Sequence, residues 1–374
     1  MAKHSHIAYH HSGQDCGPRT PSGSLVLALC ELIASVSSVV SRYGVTESMS
    51  TGRELGMKRL IECVPNFSEG RDRKRIEALA AAMSGIEGAW VLDVHSDPDH
   101  NRSVFTLSGE PQAVAEAALH GVAKAAAIID LRRHTGEHPR IGAVDVLPFV
   151  PMEGVTMEDC VALARHAGQE IWARHRIPVY FYEEGALRPE RKRLESLRSG
   201  EFEHLRDEVM QNPDRAPDIG GPALHASAGA VAVGARKFLI AYNVNLDTPD
   251  VSMAKKIARL IRASNGGLPH VKAIGVELKA RKLAQVSTNL TDFEQTSIRR
   301  VFDVVRLEAA RYGCGIHSSE IVGLVPRKAL DLNEVAHLQL ENFSPANKIL
   351  EERLKALKAA INVEAADGIP LRSI

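Results

Sequence analysis

Leu283-Ala284-Gln285-Val286-Ser287-Thr288-Asn289-Leu290 decides how this chain is built. Ala284, Val286, Thr288 and Leu290 recur at every second position, the period of a strand with one face buried. Upstream, residues 271–278 read as a partner strand. Before them, Thr248-Pro249 opens a helix that buries Ala254, Ile257, Ala258 and Ile261, and residues 238–244 read as a further strand. Downstream, Ile298, Val301, Phe302, Val305 and Ala309 form one helical stripe, and residues 316–325 close the unit as a strand.

The resulting order, β-α-β-β-α-β, is the ferredoxin-like arrangement. The same order is legible earlier. Residues 60–64 read as a strand. A helix over 72–84 follows, with Ile76, Leu79, Ala80 and Met83 on one face. Strands at 89–94 and 103–107 flank a polar turn containing Asp97, Pro98, Asp99 and Asn101. Pro111 suits a first helical position, and Val114, Ala117, Ala118, Val122 and Ala125 are the buried face of that helix. Residues 141–150 are the last strand of the set. Thr156-x-x-Asp159 is a capping-box pattern for a helix to about Ala173, and residues 179–182 read as a short strand. Residues 186–222 read as a charged helical excursion and then a loop. No residue-level repeat relates the halves, so the duplication is architectural. The expected fold class is α+β, two ferredoxin-like-type α/β subdomains with the ligand site between them, because stacked units bury their open sheet faces and leave a groove. The expected boundaries are 57–236 and 237–331, with a helical tail over 332–374. An amphipathic helix at 345–360 is expected to dock on the second unit or on a partner chain.

Composition narrows the function. The chain has 374 residues with 46 basic and 46 acidic side chains, 44% apolar and 25% charged. Zero formal charge argues against a general nucleic-acid binder, which needs a basic excess. Cys16, Cys30, Cys63, Cys160 and Cys314 have no CxxC spacing and read as reduced cytoplasmic thiols, with Cys63 and Cys160 as packing residues. Residues 1–56 read as a poorly ordered leader or an overextended start before Met57. Their apolar run, broken by Glu31, is too polar to span a membrane.

The densest chemistry lies in Arg132-Arg133-His134-Thr135-Gly136-Glu137-His138-Pro139-Arg140-Ile141-Gly142. An ionisable loop entering a buried strand is well placed for catalysis, because the strand fixes what the loop presents. Pro139 biases His138 toward extended backbone, making His138 the leading candidate. His134 and His138 have a metal-binding spacing only on a helix, which Gly136 and Pro139 break, so no metal is expected. His134 and Glu137 are expected to shape the loop. Arg140 is a candidate carboxylate ligand or a strand-end arginine, and Asn101 and Arg102 are secondary substrate-binding candidates. Turn chemistry accounts for most of residues 93–102. The stretch Gly220-Gly221-Pro222-Ala223-Leu224-His225-Ala226-Ser227-Ala228-Gly229 is a linker, or backbone that lets a flat ring approach closely.

Taken in order, several segments resemble the formiminotransferase family. They are Glu62-Cys63-Val64-Pro65-Asn66-Phe67-Ser68-Glu69-Gly70, Asn101-Arg102-Ser103-Val104 and Gly136-Glu137-His138-Pro139-Arg140-Ile141-Gly142-Ala143-Val144-Asp145-Val146. Further on come Gly154-Val155-Thr156, Gly234-Ala235-Arg236-Lys237-Phe238, Ala284–Leu290 and Glu320-Ile321-Val322-Gly323-Leu324-Val325-Pro326. The resemblance covers residues 57–331. It implies transfer of a formimino group from N-formimino-L-glutamate to N5 of tetrahydrofolate in histidine degradation. It puts the family's catalytic histidine at His138 and its folate-binding stretch at Gly220–Gly229. It also implies a homodimer, tetrahydrofolate as co-substrate and no metal or redox cofactor. Where vertebrate bifunctional members carry an acidic residue, this chain has His95, which leaves that position's partnership with the histidine open. The chain ends before a cyclodeaminase domain of the kind those members add, so a separate enzyme is expected to process the product. The competing expectations are formyl transfer between 5-formyltetrahydrofolate and glutamate, a non-catalytic folate-binding module, and a metal-dependent hydrolase.

Overall fold

A computed structural model describes residues 59–367; the expectation for residues 1–56 lies outside them, as does the end of the tail at 368–374. The first unit runs β1 (Ile61–Cys63), β2 (Asn66–Phe67), α1 (Arg73–Ser84), β3 (Ala89–Asp97), β4 (Arg102–Gly109), α2 (Pro111–Ile128), β5 (Val144–Pro151), α3 (Met157–His175) and β6 (Val179–Glu183). Short helices α4 (Leu194–Leu197) and α5 (Glu201–Glu208) precede β7 (Val231–Ala235).

These strands form one seven-stranded sheet, β1-β4-β2-β5-β7-β6, with β3 on the outer side of β4. β1 and β2 occupy a single slot, since both pair with β4 and with β5. Pro65 interrupts them because it has no N–H for the ladder. Its carbonyl still accepts from the Phe105 amide at 3.0 Å. β5, β7 and β6 are parallel, and β7 is the strand that the sequence pattern did not reveal. β5 is buried almost throughout, as a parallel strand covered on both faces must be.

Helices α1, α2 and α3 cover one face. Phe67 and Phe105 meet edge to face at 5.2 Å between ring centroids, and with Phe149, Leu79 and Met83 they are essentially inaccessible. Full burial of each such side chain contributes about 2–3 kcal/mol. Cys63 and Cys160 belong to this core as unpaired thiols. α1 starts where Asp72 accepts from the amides of Lys74 and Arg75. α3 starts at the capping box between Thr156 and Asp159.

The second unit is β8 (Ile240–Leu246), α6 (Val251–Ile261), β9 (Val271–Leu278), β10 (Leu283–Leu290), α7 (Ile298–Arg311) and β11 (Ile316–Val322). Its four strands lie in the order β11-β8-β10-β9, all antiparallel. Tyr242, Val244, Val286 and Leu290 face α6 and α7. The alternating positions of the same strands place Asn243, Asn245 and Gln285 on the opposite face, buried but polar.

The tail continues as α8 (Pro345–Lys348) and α9 (Leu350–Asp367). Leu350 and Leu354 pack with Leu92 of the first unit and Leu324 of the second, with Trp90, Met152 and Phe238 around them. Arg353 Nε donates to the Leu92 carbonyl at 3.0 Å. The start of α9 therefore packs against both units of its own chain.

Candidate active site

Backbone constraints build the loop from the core outward. Asp130 accepts from the Arg132 amide and caps a 3-10 turn at Leu131–Arg133. Gly136 then lies flat on the β3–β4 turn, where a Cβ would come within 2.4 Å of the His100 carbonyl. Asn101, in the left-handed region at φ 49°, joins the two loops. Its carboxamide accepts from the Gly70 amide at 2.9 Å and donates to the Thr135 carbonyl at 2.9 Å. At the exit, Asp145 accepts from the Ile141 amide at 2.9 Å, and Ser68 Oγ donates to the Gly142 carbonyl at 2.7 Å. The segment carrying His138 is thus tied down on both sides.

His138 is half-buried. Burial lowers its pKa well below the ordinary histidine value, and the charges of Arg102, Arg198, His100 and His134 act in the same direction. It is therefore neutral at pH 7 and ready to accept a proton. His100 stands edge to face with it, and His100 Nδ1 lies 2.7 Å from Asp97 Oδ2. Burial alone would raise the Asp97 carboxyl, but hydrogen bonds from the His100 ring and amide hold it well below the usual carboxylate range. Asp97 also accepts from the Asp99 amide at 2.9 Å, the turn chemistry expected of this segment. His134 is a scaffold residue: Nε2 contacts the Asn101 carbonyl at 3.0 Å and Nδ1 accepts from Arg140 at 3.1 Å.

The arginines divide into two kinds. Arg140 is buried, and its guanidinium is engaged by Glu201, Glu203 and His134. It pins α5 to the loop, and the carboxylates it binds are the protein's own. Arg102 and Arg198 are different. Each keeps a buried Nε without a hydrogen-bond partner among the described residues. Burial and the neighbouring Arg198 bring Arg102 down to about 10. Arg198 pairs with the buried Asp145 through its Nη2 only. Unsatisfied buried donors are costly, so two beside one imidazole mark a place where an anion belongs. The sequence reading missed Arg198, because a charged run from 186 onward reads as a solvated helix face.

Gly220–Gly229 runs beside the strand entrance. Ala143 donates to the Ala228 carbonyl at 2.9 Å and Leu131 to the Ser227 carbonyl at 2.8 Å. Its glycines answer to the chain itself. Gly220, at φ +80°, lies under Trp172, and a Cβ on Gly229 would come within 2.2 Å of the Ile141 carbonyl. His225 Nδ1 accepts from the Ala228 amide at 3.0 Å and closes the turn, while Leu224 enters the core under α4 and α5.

A cavity of about 730 Å³ lies elsewhere, between the end of β5, Phe238, Phe293 and the start of α9. It contains none of the candidate residues. A smaller one of about 130 Å³ adjoins Asn101 and His134 on the outer side of the loop. Among the described residues, no three His, Cys, Asp or Glu side chains gather in a way that would hold a metal ion.

A half-buried imidazole under the charge of two under-satisfied arginines, on a two-sheet α+β scaffold, is an arrangement suited to proton transfer next to an anion. Comparison with known proteins supplies the family. The pattern "Formiminotransferase domain, N-terminal subdomain" matches residues 60–236, and "Formiminotransferase domain" matches residues 241–362. The chain is 46% identical to the glutamate formimidoyltransferase of Streptococcus pyogenes serotype M1, over 80% of this chain and 99% of that one. It is 47% identical to the glutamate formimidoyltransferase of Thermoplasma acidophilum, over 79% and 97%. The formimidoyltransferase-cyclodeaminase of Mus musculus is 44% identical over 73% of this chain, which spans about half of that protein. The chain belongs to the formiminotransferase family.

Proposed function

We propose that this protein transfers the formimino group of N-formimino-L-glutamate to N5 of tetrahydrofolate, releasing L-glutamate and 5-formiminotetrahydrofolate. The kinship to glutamate formimidoyltransferases over nearly their whole length supports the reaction. The observation that carries the mechanism is the neutral His138 under the charge of Arg102 and Arg198, each with a buried Nε that lacks a partner among the described residues.

The formimino carbon is electrophilic, more so with its nitrogen protonated. N5 of tetrahydrofolate attacks it, forming an N5–C bond and a tetrahedral intermediate. His138 takes the proton that N5 sheds. The imidazolium then returns it to the glutamate nitrogen as the C–N bond to glutamate breaks. One histidine with a depressed pKa serves both steps, because its neutral form is the resting base and its protonated form a strong acid. In this reading Arg102 and Arg198 hold the substrate carboxylates, and Arg140 and Asn101 hold the loop. The Gly220–Gly229 segment forms part of the folate site by its position beside Ile141–Ala143 rather than by glycine flexibility.

The finer architecture belongs to the same proposal. Both units are built on the ferredoxin-like plan, the second in four strands and the first enlarged by β6 and β7. The substrates lie between the polar faces of their sheets. Tetrahydrofolate is a co-substrate with no metal or redox cofactor, and the protein works as a cytoplasmic homodimer. Among the described residues, no helix is long and apolar enough to cross a membrane.

The test is turnover by the purified protein with formiminoglutamate and tetrahydrofolate, run beside 5-formyltetrahydrofolate with glutamate. Formation of 5-formiminotetrahydrofolate is expected. Turnover with the formyl pair alone, or tetrahydrofolate binding without turnover in either assay, overturns the assignment.

A further inference from the structure

The face of the second sheet turned away from its helices holds an oriented carboxylate that the mechanism above leaves unused. Glu320, on β11, receives two hydrogen bonds at the same oxygen: Asn243 Nδ2 at 2.9 Å and Gln285 Nε2 at 3.0 Å. Gln285 also donates to Asn245 Oδ1 at 2.9 Å, and Asn245 donates to Ser318 Oγ at 2.9 Å. Asn243, Asn245 and Gln285 are each less than a tenth exposed. Buried carboxamides are retained only where their hydrogen bonds are made, so this ladder fixes the Glu320 side chain. Glu320 itself is half-buried and makes no ion pair among the described residues. A carboxylate offers about four acceptor positions. Two are filled here, and the other oxygen has no partner among the described residues.

The location is as informative as the geometry. Beyond β11, a Cβ on Gly323 would come within 4.0 Å of Thr106 Oγ1, so this edge of the second sheet reaches the polar side of β4. His95, on β3, is depressed first by burial, then by Arg102 and Lys348, while Glu320 opposes them, so its ring feels both the arginine and the carboxylate. Across the β3–β4 ladder, His95 pairs with Val104 and Asp97 with Arg102. The charge of Glu320 is thus felt at His95, whose ladder partner Val104 is two strand residues, ~7 Å, along β4 from Arg102. That interval is about the length of a fused bicyclic ring.

The pyrimidinone edge of a tetrahydropterin presents two adjacent donors, N3–H and the 2-amino group, at the end of the bicycle remote from N5. We propose that Glu320, held by Asn243 and Gln285, is the residue that reads this 2-amino-4-oxo edge and so sets N5 against His138. The assignment rests on the formimino-transfer reading for its ligand. It would make Glu320 a positioning and specificity residue with no part in proton transfer.

The experiment uses the full chain, wild type and Glu320→Gln, with tetrahydrofolate, its 2-desamino-2-methyl analogue and formiminoglutamate. Glutamine retains one acceptor for Asn243 and Gln285 and turns the free oxygen into a donor facing donors. The KM for tetrahydrofolate is expected to rise about a hundredfold, with kcat at saturation within a few-fold and the KM for formiminoglutamate unchanged. Wild type is expected to discriminate against the analogue, and Glu320→Gln to lose that discrimination. Wild type taking both pterins equally overturns the proposal without recourse to any variant. An unchanged KM for tetrahydrofolate in Glu320→Gln overturns it too, as does a rise confined to formiminoglutamate, which would mean that Glu320 meets the amidinium. Calorimetric binding of tetrahydrofolate separates the two readings. If wild type binds it without turnover, the reaction fails, and the affinity of Glu320→Gln still decides the contact. If wild type does not bind it, this contact is excluded outright.

Discussion

The rings of His100 and His138 meet edge to face, with centroids 6.4 Å apart and planes at 85°, and Asp97 anchors His100 from behind at 2.7 Å. Burial resists protonation of His138 first, and Arg102, Arg198, His100 and His134 all act in the same direction. The base form is active, so activity is present above the lowered pKa and is lost as pH falls through it. The acid limb of the kcat/KM profile is expected below the ordinary histidine value, with a flat response across neutrality. Replacing Arg102 with Met removes one opposing charge and is expected to move that limb upward. A wild-type limb at or above 6.5, unmoved in Arg102→Met, would show that His138 is not the group being titrated.

His138 accepts and donates no hydrogen bond within the protein among the described residues, so its removal has little to unfold. His138→Ala is expected to lower kcat by about 10²–10⁴-fold, the usual worth of a positioned acid–base group. Its melting curve is expected to overlay the wild type. Purified His138→Ala turning over at the wild-type rate would remove the histidine from the mechanism.

How much of this was legible in sequence depends on the range of the interactions. Strands β8 to β11 could be read because each has one apolar and one polar face, which leaves a period of two. Val231–Ala235 could not. It is small, buried on both faces and follows a glycine-rich run, so β7 carries no alternation to detect. The His138 loop was visible by its density of ionisable groups. Its electrostatics were not, because they depend on which arginine finds a partner. Arg140 reads equally as a carboxylate ligand or a strand-end arginine; the carboxylates on its guanidinium, Glu201 and Glu203, lie more than sixty positions away. Arg198 lies in a run that reads as solvated, yet it pairs with the buried Asp145.

That division of the arginines gives a paired test. Arg102→Met removes a buried donor that lacks a protein partner, and is expected to raise the KM for formiminoglutamate about tenfold or more with little effect on melting. Arg140→Met frees two carboxylates that are half exposed and can rehydrate, so its cost is expected at about 1–2 kcal/mol of stability rather than the larger cost of a fully buried pair. The folded fraction of Arg140→Met should keep its KM. The opposite pattern, a KM effect in Arg140→Met and none in Arg102→Met, would reassign the carboxylate contact.

Glu62 gives a prediction about stability. It lies on β1, paired across the ladders with Ser108 and Val150, and is only 4% exposed. Burial raises its pKa from 4.5 to about 7, with Arg236 opposing and Glu351 adding to the rise. A folded-state pKa above the unfolded value means that the native protein holds this proton more tightly. The associated stability is complete below the unfolded pKa near 4.5 and is lost as pH rises through about 7. Above that point the folded chain carries a desolvated carboxylate, a penalty of about 3 kcal/mol at most. Glu62→Gln removes the ionisation and keeps the shape. It is expected to match wild type in urea denaturation at pH 4.5, and to exceed it progressively up to pH 8. A wild-type-minus-variant difference that stays constant over that range would mean that Glu62 remains ionised throughout, with Arg236 compensating for its burial.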